Sequence, residues 1–236
     1  MTAKLIGVGV GPGDPELLTV GALRQLREAD RVVAPAVAVG AVGRAESIVR
    51  QALPDVRIDR LACAMAPGAD ARAATARAAA LAIVGWLDAG ETVAFITLGD
   101  PNIYSTFSAI SAAVRLLRPG IPIETVPGIM AFQDLAARVG AVLLDGVESL
   151  ALVTALDGSA AAEKALQDRS QAVVVYKGGR HVPALAAALQ RAGRLDGAVL
   201  GELLGLPGQR VVPLAEVADQ PASYLATVIV PPARDR

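Results

Sequence analysis

KLIGVGVGPGDPELLTVGALRQLREA, from Lys4 to Ala29, opens as an apolar run, breaks into glycine and proline, and resumes with helical spacing. Lys4 to Val10 is expected to form a buried strand, because its apolar residues stop at a turn signal within a few positions. Gly11-Pro12-Gly13-Asp14-Pro15 is the turn, and Leu23, Leu26 and Ala29 then share one face of a helix. Strand, glycine-proline loop and helix in that order form the opening of a parallel α/β sheet.

The same alternation continues outward. Arg31 to Ala36 reads as a second strand and Val56 to Leu61 as a weaker one. Asp70 to Asp88 is an alanine-rich helix with Leu81, Val84 and Leu87 along it, ending at Gly90. Thr92 to Thr97 is a β-branched and aromatic strand, followed by the loop Leu98-Gly99-Asp100-Pro101. Ile103, Phe107, Ile110, Val114 and Leu117 then mark one face of a helix that stops at Pro119-Gly120. Ile121 to Val126 is a strand, Pro127-Gly128 breaks it, and a helix runs from about Ile129 to Val139. Beyond it, strands near 150–154, 172–177, 198–203, 210–213 and 224–231 outnumber the helices between them. The fold class expected is α/β, in two α/β domains: 1–127 with a mostly parallel sheet, and 128–236 with a mixed sheet.

Composition removes several classes of function. One cysteine, Cys63, and one histidine, His181, leave no Cys/His set for zinc and no intrachain disulfide, so no metal is expected. No G-x-S-x-G elbow is present. A net charge of -1, no basic tract and 3% aromatic residues argue against nucleic acid as a partner. The start has neither a signal peptide nor a spanning helix, and the apolar stretch Ala78 to Leu87 is far shorter than the roughly 20 residues a bilayer needs. A cytoplasmic protein without membrane partners is expected. Cys63 reads as a small buried apolar residue.

Gly7-x-Gly9-x-Gly11 invites a dinucleotide reading, but the fingerprint needs glycine at its sixth position, which here is Pro12. What remains is three loops at the carboxyl ends of strands: Gly11 to Pro15, Gly99-Asp100-Pro101, and Pro127-Gly128-Ile129-Met130-Ala131. Open α/β sheets bind ligands there. Glycine permits close approach to the backbone and proline fixes the loop shape, which suits a small polar cofactor.

GVGVGPGDPELLTVGAL (7–23), TLGDPNIYSTFS (97–108), ETVPGIMAF (124–132) and GELLGLPGQRVV (201–212) together resemble the tetrapyrrole methylases, in order and over almost the whole chain. The first two motifs, with LACAM (61–65), resemble the members that methylate C20 of precorrin-2. The resemblance implies a class III methyltransferase fold with S-adenosyl-L-methionine in the cleft between two domains, a tetrapyrrole substrate and a homodimer. It puts Pro12, Gly99, Asp100, Pro101, Ile103, Met130, Ala131, Lys177 and Leu204 at the cofactor. Ala64-Met65 keeps only the methionine of an FPM-like segment, and Gly178-Gly179-Arg180-His181 is more polar than the family pattern.

Because the sulfonium is already an activated electrophile, alignment and water exclusion are the protein's main tasks. Loss of the C20 proton leaves Asp100, Tyr104 and Asp14 as candidates. Asp100 is also readable as a cofactor ligand or helix cap, and Tyr104 as a residue at a helix start. Asp14, Tyr104 and His181 are candidate substrate contacts, with a solvent-facing helix start the plainer reading of His181. Other precorrin or uroporphyrinogen-III methyltransferases, and a non-catalytic ligand-binding protein, are the alternative functions.

Overall fold

The computed structural model describes residues 3–36, 41–63 and 68–234, so Ala64 and Met65 lie outside the described residues. The chain divides into two compact units, Met1–Met130 and Ala131–Arg236.

The first unit runs β1 Leu5–Gly9, α1 Val20–Glu28, β2 Arg31–Ala36, α2 Arg44–Ala52, β3 Ile58–Ala62, α3 Ala69–Asp88, β4 Val93–Thr97, α4 Thr106–Leu117 and β5 Ile123–Val126. Its five strands lie in the order β3-β2-β4-β1-β5 and every pairing is parallel. Side chains alternate across the sheet. Ile6, Val8, Val32, Ala34, Ala94 and Ile96 pack with α1 and α2, whereas Leu5, Val33, Val93 and Phe95 pack with α3 and α4. Gly7 breaks the apolar run for a steric reason, since a Cβ there would sit 2.5 Å from the Phe107 ring.

Two local expectations, for α3 and α4, need correction, and α2 was not anticipated at all. Helix α2 gave no readable stripe, because Glu46 sits fully buried among Ala45, Ile48 and Val49. In α3 the buried face is Ala76, Ala79, Ala80, Ile83 and Leu87, with Leu81 53% exposed: small alanines, not the largest side chains, carry the contact. Helix α4 starts at Thr106, not Ile103, because Ser105 caps it by accepting from the Phe107 N–H at 3.1 Å.

Glu46 is tolerated in the core because Arg60 Nε and Nη2 donate to it at 2.6 and 2.7 Å and Arg50 Nε at 2.8 Å. The Arg60 bonds, with help from Arg50, hold its carboxyl below the ordinary value although burial opposes them. A folded value below the unfolded ~4.3 means the stabilisation is complete above that pH and is lost as pH falls through the folded value. Glu46→Gln is expected to cost about 1–2 kcal/mol near neutrality, since it weakens the charge-assisted bonds to the partly exposed Arg50 and Arg60 and turns one buried acceptor into a donor. Urea melts should show that gap narrowing below pH ~4; a gap that ignores pH would mean the charge is irrelevant.

The second unit contains α5 Ala131–Val139, β6 Ser149–Thr154, α6 Ala160–Ala165, β7 Gln171–Tyr176, α7 Val182–Arg191, β8 Val199–Glu202, β9 Arg210–Pro213 and β10 Thr227–Val230. The strand order is β6-β7-β10-β8-β9, with β6 and β7 parallel and the other pairs antiparallel. The second sheet is therefore mixed. Helices α6 and α7 cover one face through Ala162, Leu185 and Leu189, and α5 covers the other through Leu135 and Ala136. Among the described residues no helix is long and apolar enough to cross a membrane.

Candidate functional site

Strands β4, β1 and β5 are neighbours and parallel, so the loops that follow them emerge side by side. The chain leaving β1 goes to α1 on one face, and the chain leaving β4 goes to α4 on the other. That divergence is a topological switch point, which opens a crevice at the carboxyl ends of the two strands.

The loops are tied through their backbones. Gly99 N–H donates to the Gly11 carbonyl at 2.8 Å and Val10 N–H to Thr97 at 3.0 Å. Asp100, 8% exposed, accepts from Asn102 N–H at 2.8 Å and from Gly128 N–H at 3.1 Å, joining the second loop to the third. Glycine is required where they meet. A Cβ on Gly128 would lie 2.1 Å from the Gly99 oxygen, and one on Gly9 would lie 2.6 Å from both Gly128 N and the Gly99 oxygen. Gly99 has φ +68 and faces Met130 Sδ. Gly99, Asp100, Pro101, Pro12 and Met130 are all buried here, and Ile103 is half-buried.

Asp14 is otherwise engaged: its carboxylate accepts from Glu16 N–H at 2.9 Å, capping a short turn of 3-10 helix at Pro15–Leu17. Asp100 is similar, with both oxygens taken by backbone donors, the arrangement of a positioning residue. Tyr104 has φ +49 and is 47% exposed, in the turn ahead of α4 rather than within the helix.

In the second unit β6, β7 and β8 point the same way, because β10 is antiparallel to both β7 and β8. Their carboxyl ends therefore gather beside the start of β10, with Lys177 following β7 and Leu204 lying two residues past β8. Phe132 N–H donates to the Tyr176 hydroxyl at 3.0 Å, which brings the start of α5, and hence Ala131, to this same end. Burial pushes the Tyr176 phenol up and the Lys177 amine down. Ser223 Oγ and Thr227 Oγ1 are buried here without a hydrogen-bond partner. Orphaned hydroxyls at a strand end are unpaired capacity that a polar ligand could use. Sequence reasoning missed both, because Thr227 opens the apolar strand TVIV and Ser223 lies in an unpatterned loop.

Among the described residues the non-glycine positions with positive φ are Tyr104, Lys177 and Leu203. Each lies past the carboxyl end of a strand, in the two regions just described. Backbone strain of ~1–3 kcal/mol per residue persists where surrounding structure enforces it, often at functional sites.

His181 is half-buried at the start of α7 and its Nε2 accepts from Arg180 Nε at 3.2 Å. Burial pushes the Cys63 thiol up to about 11, which suits a packing residue. Among the described residues no group of three or more His, Cys, Asp or Glu could hold a metal ion. Glycine loops and buried unpartnered hydroxyls suit the binding and alignment of a small polar ligand.

A family model described as Tetrapyrrole (Corrin/Porphyrin) Methylases matches residues 4–218. The precorrin-2 C(20)-methyltransferase of Sinorhizobium sp is 35% identical over 242 residues, covering 99% of this chain and 97% of that protein. The cobalt-precorrin-2 C(20)-methyltransferase of Salmonella typhimurium is 34% identical over 236 residues, covering 98% and 97%. Among solved structures, uroporphyrin-III C-methyl transferase from Thermus thermophilus complexed with S-adenyl homocysteine shares the fold, with a TM-score of 0.67, 24% identity and 97% coverage of both chains.

Proposed function

The chain belongs to the tetrapyrrole (corrin/porphyrin) methylase family, and on that premise we propose that it is an S-adenosyl-L-methionine-dependent methyltransferase that methylates C20 of precorrin-2, or of its cobalt complex, in cobalamin biosynthesis. The observation that carries this reading is the near-full-length identity to proteins named for that reaction. The knitted glycine loops of the first unit and the orphaned hydroxyls of the second support it by fitting a small polar co-substrate.

S-adenosyl-L-methionine supplies the methyl group on an activated sulfonium. In this reading Pro12, Gly99, Asp100, Pro101, Ile103 and Met130 from the first unit, and Ala131, Lys177 and Leu204 from the second, bind it. The tied loops offer little conformational freedom, so the methyl group can be presented in line without ordering costs at the moment of reaction. Buried walls keep water from competing with the carbon nucleophile. Asp100 fixes the loops, and Tyr104, exposed in the turn ahead of α4, is the candidate to relay the C20 proton, its hydroxyl passing its own proton to solvent as it receives that one. Cobalt, where present, belongs to the substrate.

The protein acts in the cytoplasm as a homodimer in this proposal, and the exposed Val142, Leu144 and Val147 of the second unit supply apolar surface for a partner copy. Sedimentation should return the mass of two chains.

The activity is tested by incubating the protein anaerobically with S-adenosyl-L-methionine and, in parallel, precorrin-2, cobalt-precorrin-2 or uroporphyrinogen III, then weighing the product. One added methyl group per tetrapyrrole is expected. Two added groups, or transfer only to uroporphyrinogen III, would move the chain to another branch of the family.

A further inference from the structure

We propose that the Gly178-Gly179-Arg180-His181 loop binds a carboxylate arm of the tetrapyrrole substrate, with Arg180 as the charged anchor; this rests on the methyltransferase reading above. The loop follows β7, so it stands at the same end of the second unit's sheet as Lys177 and Leu204.

Its backbone is clamped from two sides. A Cβ on Gly178 would lie 2.9 Å from Ala155 Cβ, and one on Gly179 would lie 1.9 Å from the Ser223 oxygen. Ala222 N–H donates to the Gly179 carbonyl at 2.8 Å, and His181 N–H to that of Gly178 at 2.8 Å. Only glycine admits these approaches, so both glycines serve to fix where Arg180 begins.

The guanidinium is fixed in turn. Its Nη2 donates to the Leu156 carbonyl at 2.7 Å and its Nε to His181 Nε2 at 3.2 Å. These bonds orient the plane and leave Nη1 and the second Nη2 hydrogen for a ligand. Tyr224 is 41% exposed and close enough for the guanidinium to pull against the effect of burial on its phenol.

Elsewhere in this unit Arg138, Arg210 and Arg234 each pair with a carboxylate, from Asp134, Glu202 and Glu148. Arg180 has no carboxylate within 4.0 Å among the described residues. A pre-oriented planar cation with no internal counter-charge matches a carboxylate in two-point geometry. A precorrin carries several carboxylate arms, and the co-substrate carries one on its methionine moiety; the two sources separate by experiment.

Arg180→Gln and Arg180→Lys are compared with the unaltered protein, after thermal melting shows that all three fold. For Arg180→Gln the KM for precorrin-2 should rise about tenfold, with kcat and S-adenosyl-L-methionine affinity within about twofold. Arg180→Lys keeps charge without the fork and should fall between. Uroporphyrin III, an unreactive polycarboxylate, should bind Arg180→Gln about tenfold more weakly in a fluorescence titration, while its octamethyl ester binds both proteins alike. An unchanged KM and titration would overturn the proposal, as would a loss confined to S-adenosyl-L-methionine affinity. Failure of the unaltered protein to methylate either precorrin-2 or its cobalt complex would instead defeat the functional reading, and the uroporphyrin titration would still decide the role of Arg180.

Discussion

Gly128→Ala is expected to abolish measurable S-adenosyl-L-methionine binding. The new Cβ would lie 2.1 Å from the Gly99 oxygen and 2.9 Å from Gly9 Cα, and the three atoms nearest to it are all backbone. No side chain can swing aside, so the third loop must lift from the first two. That movement breaks the bond from Gly128 N–H to Asp100 and loosens the Gly99 to Gly11 bond beside it. Overpacking alone costs about 1–3 kcal/mol, and displaced loops no longer present the geometry a bound ligand needs. A loss of more than about 100-fold in affinity is expected by calorimetry, as both terms act on one site. Gly85→Ala is the control: its Cβ would meet nothing within 4 Å on helix α3, and it should leave binding unchanged while stabilising the fold by about 0.5–1 kcal/mol. Binding within threefold of the unaltered protein in Gly128→Ala would show that the loops do not form the site.

Asp100→Asn separates a positioning role from a catalytic one. The side chain keeps its shape, but one acceptor facing a buried N–H becomes a donor, so either Asn102 or Gly128 loses its partner. Hydrogen bonds to a charged group are worth about 1.5–3 kcal/mol, so affinity for S-adenosyl-L-methionine should fall roughly 10- to 100-fold and kcat/KM at least as far. If Asp100 instead removed the C20 proton, kcat would collapse with co-substrate affinity intact, and the acid limb of the pH profile would vanish. Titration by calorimetry alongside steady-state kinetics distinguishes the two.

These effects concern loops that were legible from residue types alone. Continuous apolar strands ending in glycine and proline marked β1, β4 and β5, and the parallel order then set their ends together. An excess of strands over helices was readable in the second half of the sequence. Pairwise geometry was not visible. Helix α2 was hidden by a buried ion pair that looks polar in one dimension, and the packed face of α3 by alanines. Asp14 and Asp100 were both candidates for the C20 proton in the sequence, and the backbone donors that their carboxylates accept from, Glu16 for Asp14 and Asn102 and Gly128 for Asp100, could not be read there. Arg180 read only as unexpected polarity, because its carbonyl partner, Leu156, lies on a different strand-end loop.

The most direct measurement is an anaerobic reaction with S-adenosyl-L-methionine carrying a carbon-13 methyl group, offered precorrin-2 and cobalt-precorrin-2 in parallel, with the product read by NMR. The account predicts a single labelled methyl on C20 of at least one of the two substrates. A labelled methyl at any other carbon, or none on either tetrapyrrole while the co-substrate binds normally, would contradict it.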